Sequence, residues 1–341
     1  LRIPGPTPLP KAVLEAGTHE MINHRGPEFA ALLADVTARL KYWFQTENDL
    51  FLFPGSGTGG LEAGIANLFS AGDKVIAISI GNFGDRFRDI AEAFGLDVVR
   101  LDVPWGRAVD PDEVRRLLDE HRDTRGVMIT HNETSTGVMN DIHSVGDAIG
   151  GRALYLVDGV SSVGGVAIET DAWGIDVLVS GSQKAWMVPP GVVMVSVSQK
   201  AWDAKQRATL PCHYWDFTRA KSYFERGQTY TTPALSVIFQ LQAALAMMDA
   251  EGMQAVFDRH YRVAEHTRSG IASLGLELFP ERTHASDLVT AVWVPEGVDA
   301  SELGRIMRLE RDIVLGGGQG QLTGKIFRIG HLGWVHEADI D

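Results

Sequence analysis

The stretch VLVSGSQKAWMVPPGVVMVSV, Val177 to Val197, holds two apolar runs of strand length around one short loop. About ten residues, including Pro189, Pro190 and Gly191, separate the run ending at Ser180 from the run starting at Val192. A parallel pair needs a crossover of a dozen or more residues, usually helical, so this pair is predicted to be antiparallel. Upstream, further runs of strand length occur at Leu50 to Phe53, Val75 to Ile80, Val98 to Val103, Val127 to Thr130 and Leu154 to Asp158. Segments of helical period alternate with them, which is the pattern of a mainly parallel sheet covered by helices. The fold class is therefore α/β. The first of these helices should start near Thr58, because Leu61, Ile65, Leu68 and Phe69 then fall on one apolar stripe.

Downstream, a helical stretch from Pro233 to about Ala250 leads into a second, Glu251 to Ser273. Short strands near Leu288 to Val294 and Phe327 to Ile329, with a helix between them, read as a smaller α+β domain. The expected division is a large domain over residues 11–250 and a small one over 251–341, which the N-terminal segment 1–10 joins.

Within the opening stretch, Lys184 stands just beyond a strand and before Trp186, Met187 and Val188. Most lysines are solvated surface charges. Apolar neighbours hinder hydration of an ammonium and lower its pKa, which is what a lysine that reacts with a carbonyl requires. Asp158 ends the strand of LYLVDGVSS, at the edge of an open α/β sheet where ligands bind. A carboxylate there can hold a protonated ring nitrogen or cap the next turn.

PGSGTGGLEAG, Pro54 to Gly64, sets Ser56, Gly57 and Thr58 at a helix start, where free N–H groups and the dipole favour a phosphate. The same residues spell GxGxxG. A dinucleotide fold also needs an acid ending the second strand, and here VIAIS ends in Ser79, Ile80 and Gly81. In HNETSTG, Thr134 and Ser135 can donate to a ring hydroxyl or a phosphate, or merely hold a turn. Phe83 can stack on a flat ring or fill the core. Arg328, in GKIFRIGHLG, offers a planar fork for a carboxylate or is a surface charge.

The 341 residues carry a net charge of −13 with 31 scattered basic residues, which argues against non-specific binding of nucleic acid or an anionic membrane. One cysteine, Cys212, excludes an intrachain disulfide framework and a CxxC metal site, so no metal is expected. No apolar run is long enough to span a bilayer, and LRIPGPTPLP is unlike a signal peptide, so the expected location is the cytoplasm. The start at Leu1 and the close VHEADID read as trimmed ends, where a targeting signal would be lost.

Taken together, GPTPLP (Gly5 to Pro10), HRGPEF (His24 to Phe29), GSGTGGLEA, HNETSTG, VDGVSSVGG, SGSQKAWMVPPG and GKIFRIGHLG resemble the class V aminotransferases, specifically the alanine–glyoxylate and serine–glyoxylate group. They stand in family order over nearly the whole chain. The resemblance implies the fold type I transferase architecture dependent on pyridoxal 5′-phosphate, with a seven-stranded sheet, in a homodimer whose active sites lie at the subunit interface. It implies Lys184 as the Schiff-base lysine and Asp158 as the partner of the pyridine nitrogen, these two being the catalytic residues. Ser56, Gly57, Thr58 and Gln183 would hold the phosphate, Phe83 would stack on the ring, Thr134 would stand beside it, and Arg328 would bind the substrate carboxylate. From the partner subunit, the segment QTYTTP would add Thr231 and Gln228 or Tyr230.

Two positions depart from some relatives, in that Phe83 stands where they have Trp and Thr58 where they have His. The activity implied is ping-pong transfer of an amino group from alanine or serine to glyoxylate or pyruvate. Alternatives are a ureidoglycine–glyoxylate or hydroxykynurenine aminotransferase, another reaction of the same cofactor such as a desulfurase or lyase, or a binding protein that kept the fold. A desulfurase needs a thiol on a mobile C-terminal loop, and Cys212 in LPCHYW does not lie there.

Overall fold

The computed structural model describes residues 1–341. Helices α1 (Lys11–Ala16) and α2 (Pro27–Phe44) precede β1 (Asp49–Gly55), α3 (Gly57–Leu68), β2 (Lys74–Ser79), α4 (Asn82–Ala93), β3 (Asp97–Asp102), α5 (Pro111–Glu120) and β4 (Gly126–Thr130). A small hairpin, β5 (Asn132–Glu133) and β6 (Val138–Met139), leads to α6 (Ile142–Ile149), β7 (Leu154–Asp158), β8 (Val177–Gly181) and β9 (Gly191–Val197). Then come α7 (Gln199–Lys205), α8 (Phe217–Phe224), α9 (Leu235–Glu251), α10 (Met253–Ser273), β10 (Val289–Trp293), α11 (Ala300–Arg311), β11 (Gly316–Gly317) and β12 (Ile326–Gly330).

Seven strands form one sheet in the order β1-β9-β8-β7-β4-β2-β3. The pairs among β8, β7, β4, β2 and β3 are parallel, and β8 and β9 are antiparallel as their short connection requires. The first strand departs from the simple alternating picture. β1 lies at the far edge and pairs antiparallel with β9, so two successive reversals bring it back into the direction of β8. The apolar pattern of β1 could not disclose this, because pairing direction depends on a strand far along the chain, Leu50 lying opposite Ser196.

Both faces of this sheet are covered, which is why its strands read as continuous apolar runs. On one face Leu61, Ile65 and Leu68 of α3 pack with Phe87 and Ala91 of α4 and Phe217 of α8. On the other lie Leu33, Leu40 and Trp43 of α2, Val114 of α5, Val145 of α6 and Leu241 of α9. Helices start where their caps allow. Asp110 accepts from the N–H of Asp112 with Pro111 in the first turn, and Asp141 accepts from Ser144 N. α3 begins at Gly57, one residue ahead of the expected Thr58.

The chain turns sharply at Gly252, with φ of 89°, between α9 and α10. Beyond it β10, β12 and β11 form a separate antiparallel sheet. The N-terminal segment runs against that sheet, where Arg2 N donates to Val314 O and Gly330 N donates to Arg2 O, both at 2.8 Å. Pro4 and Gly5 are thereby carried toward the carboxyl ends of the large sheet.

The start of α3 sits unusually close to the strands. A Cβ on Gly60 would stand 2.5 Å from Val179 Cγ1 and 2.6 Å from Val193 Cγ2. Gly60→Val should therefore destabilise the fold by about 1–3 kcal/mol through overpacking. Urea unfolding checks this, and an unchanged midpoint would contradict the close packing.

Candidate active site

Parallel strand register places several polar groups at one edge. Thr130 of β4 is level with Asp158 of β7, and Asp158 is level with Val179 of β8, so the turn after β8 begins beside Asp158. That turn carries Lys184. Trp186 anchors it, fully buried, stacked at 6.1 Å on Phe44, with its indole N–H donating to Ser180 Oγ at 2.8 Å. Met187 takes the left-handed region at φ of 51°, and its N–H donates to Lys184 O. The apolar neighbours read from the sequence thus face the core, while the lysine amine reaches the N-terminal segment.

The N-terminal segment closes over this lysine. Lys184 Nζ donates to Pro4 O at 2.8 Å, Thr7 Oγ1 donates to Lys184 O at 3.0 Å, and Thr7 N donates to Gln183 O. At Gly5, with φ of 126°, an added Cβ would lie 2.8 Å from Lys184 Cδ. Lys184 has no salt-bridge partner within 4.0 Å, and burial lowers its pKa to about 8 against the opposing pull of Asp158.

Asp158 is buried, with Oδ1 accepting from Val160 N at 2.9 Å and Oδ2 facing Thr130 Oγ1 at 3.4 Å. Burial raises its pKa to about 6, despite the hydrogen bond from Val160 and the charges of Lys184 and Arg86. A cation placed against this carboxylate would return it to the ionised form. Arg328, on β12, is also buried and has no carboxylate partner. Its Nε donates to Gly317 O and its Nη1 to Thr134 O, both at 2.8 Å, which leaves Nη2 free. Burial lowers its pKa to about 10, so the cation persists at neutral pH.

At the start of α3, Ser56 makes no side-chain cap, and the N–H groups of Gly57 and Thr58 have no acceptor in the chain. Nearby, the side-chain oxygen of Gln183 is buried without a partner, and Val160 packs against Gly57 and Gly181. Phe83, at the start of α4, belongs to no apolar cluster, and the guanidinium of Arg86 lies 4.9 Å from its ring centroid. The core reading of Phe83 therefore fails, and its ring is half-buried beneath the Arg86 guanidinium. Thr134 keeps a hydroxyl with no partner in the chain, whereas Ser135 does not, because its Oγ donates to Glu133 Oε1 and accepts from Asn82 N. Gln228 and Thr231 stand apart from this group within one chain, and Gln228 accepts from Arg25 Nη1 at 3.0 Å.

Sequence reasoning missed Glu133, though it lies inside HNETSTG. Its fully buried carboxylate accepts from Phe83 N, Gly84 N, Ser135 N and Ser135 Oγ, so it caps α4 and holds Phe83 in place. Burial raises its pKa above the ordinary carboxylate value. An acid among hydroxyls was the available signal, and the hydroxyls drew the reading instead. Val160 and Arg86 were missed as well, since a lone valine and a lone arginine carry no motif.

A buried amine, a strand-end carboxylate, a carboxylate-free guanidinium and an open helix start together suit a flat, phosphorylated pyridine aldehyde with an amino-acid substrate beside it. The comparisons agree. The family model "Aminotransferase class-V" matches residues 2–327. A solved alanine–glyoxylate aminotransferase from Nostoc superposes with a TM-score of 0.96 at 33% identity, covering 100% of this chain and 92% of that one. The L-aspartate–glyoxylate aminotransferase of Paracoccus denitrificans is 41% identical over 98% of this chain and 87% of its own length. A Synechococcus protein named as the small subunit of a soluble hydrogenase is 44% identical, over 100% of this chain and 89% of its own. This chain has one cysteine, Cys212, and no cluster of three His, Cys, Asp or Glu placed for a metal.

The fold is that of the pyridoxal 5′-phosphate-dependent aminotransferases. The chain belongs to the class V aminotransferase family. No helix is long and apolar enough to cross a membrane.

Replacing Glu133 by Gln offers one carbonyl where two oxygens now accept, and turns an NH2 toward N–H donors. We expect Glu133→Gln to cost about 1–3 kcal/mol of stability, read from chemical denaturation of the purified protein. Stability equal to wild type would mean that these four hydrogen bonds are dispensable.

Proposed function

We propose that this chain transfers the amino group of alanine or serine to a 2-oxo acid, glyoxylate or pyruvate, in a ping-pong reaction with pyridoxal 5′-phosphate. The observation that carries the reading is the half-buried Lys184 amine, which is free of any carboxylate partner and feels the charges of both Asp158 and Arg328. The Nostoc and Paracoccus relatives, both named as glyoxylate aminotransferases, support the acceptor.

When bound, pyridoxal phosphate supplies the electron sink for charge that develops at the amino-acid Cα. In this reading Lys184 is its covalent anchor. The residues Ser56, Gly57, Thr58 and Gln183 hold its phosphate, Phe83 stacks on its ring, Thr134 stands beside it, and Asp158 pairs with its nitrogen. Arg328 binds the substrate carboxylate through the free side of its guanidinium and so orients the Cα–H bond toward the lysine. The Lys184 amine would serve as the base that takes the substrate Cα proton and then as the acid that gives it back. Its pKa of about 8 leaves both protonation states accessible near neutral pH, which a group that must accept and donate in one cycle requires.

A homodimer completes the site in this reading, the partner adding Thr231 and Gln228 to the phosphate. Residues 11–250 then form the cofactor domain, and 251–341 with 1–10 the small domain, in a cytoplasmic enzyme. The Paracoccus relative favours a second reading, an acidic donor such as aspartate. Mixing the holoenzyme with alanine, serine or aspartate and following loss of the cofactor absorbance band separates the two.

Purified Lys184→Ala should lose turnover of alanine with glyoxylate. Normal activity in that variant would sink the assignment. A second test uses the acidity of the amine. Because its pKa is depressed, the neutral form accumulates as pH rises through about 8 rather than 10.5. Uptake of pyridoxal phosphate by the apoenzyme should quicken with pH and level off above about 8. A rate still climbing steeply at pH 10 would contradict the desolvated amine.

A further inference from the structure

Arg86 lies one turn along α4 from Phe83 and has no carboxylate within salt-bridge distance. Its neighbour in sequence shows the contrast, since Arg88 pairs with Asp85, Asp89 and Asp102. Arg86 is nevertheless aimed. Its Nη1 donates to Thr58 Oγ1 at 3.2 Å, and its guanidinium rests over the Phe83 ring. Thr58 is the residue whose own N–H has no acceptor at the start of α3. Arg86 is exposed, so the Thr58 hydroxyl and the Phe83 ring direct its guanidinium to the α3 start and leave its remaining N–H groups open to an anion there. The charge of Arg86 also reaches Asp158 and Lys184, which places it within the electrostatics of the same cleft.

We propose that Arg86 is a cationic ligand of the cofactor phosphate, clamping it from α4 against the open N–H groups of α3. This rests on the reading of the α3 start as the phosphate site. The consequence is a division of labour. Gly57 and Thr58 offer direction through backbone N–H groups, and Arg86 supplies the full positive charge that the glycine loop lacks. It also compensates for a threonine hydroxyl at position 58, which is neutral.

The experiment compares two ligands that differ only in the phosphate. Apoenzyme of wild type, Arg86→Gln and Arg86→Lys is titrated with pyridoxal 5′-phosphate and with pyridoxal, following absorbance of the bound species. We expect Arg86→Gln to weaken binding of the phosphorylated ligand roughly ten- to a hundred-fold and to leave pyridoxal unchanged, with Arg86→Lys in between. Equal losses for both ligands would mean that Arg86 acts on the ring through Phe83, and would overturn the assignment. Unchanged affinity for the phosphorylated ligand, with a raised KM for aspartate, would overturn it in favour of a substrate contact. The ratio of the two affinities within each variant cancels any general loss of folded protein, which apoenzyme melting curves also report. A wild type that takes up neither ligand would instead strike at the cofactor reading itself.

Discussion

Trp186 determines where Lys184 stands. Its indole fills the space between the Lys184 turn and α2, with Phe44 stacked on one side, Gly164 against the ring and Ser180 accepting its N–H. An aromatic of that size, fully buried and hydrogen-bonded, holds the turn from Gln183 to Val188 to one conformation. Without that anchor the lysine would be a flexible side chain on a surface loop. With it, the amine lies against Pro4 and Gly5, and desolvation lowers its pKa to about 8.

The rest of the site depends on that placement through sheet register. Asp158 and Lys184 follow neighbouring parallel strands, so each is brought to the same edge with no loop needed to adjust it. Arg328 comes from a different sheet, and its position depends on hydrogen bonds to Thr134 O and Gly317 O. Glu133 links these parts. It holds the start of α4, and therefore Phe83 and Arg86, to the same HNETSTG turn whose Thr134 carbonyl receives Arg328. Asp158, Glu133 and Arg328 are buried with no salt-bridge partner, and Lys184 beside them has none either, which is costly to maintain. Their persistence side by side is the physical mark of a site that expects charged ligands.

Charge and shape also separate this site from a dinucleotide-binding one, which shares the GxGxxG spacing. The glycines at 57 and 60 serve close packing here, against Val160 and against Val179 with Val193. The acid that matters sits on β7, beyond the strand where a ribose-binding acid would stand. The same spacing of glycines thus supports different chemistry, according to which strand end carries the carboxylate.

Much was legible in the chain itself. The β8–β9 reversal followed from loop length and the positions of the large-sheet strands from apolar runs, while motifs in order singled out Lys184, Asp158 and Arg328 as candidates. These are local properties, set by spacing and by residue type within a few positions. Other features were decided only when distant segments met. The antiparallel seating of β1 depends on β9, and both the withdrawal of Ser135 and the placement of Phe83 depend on Glu133. Lys184 shows both halves. Its apolar neighbours announced a special lysine, but its desolvation comes from Pro4 and Gly5, 180 residues earlier in the chain at the Pro4 contact. Burial and charge pairing are properties of the surroundings, and a sequence specifies surroundings only through the fold.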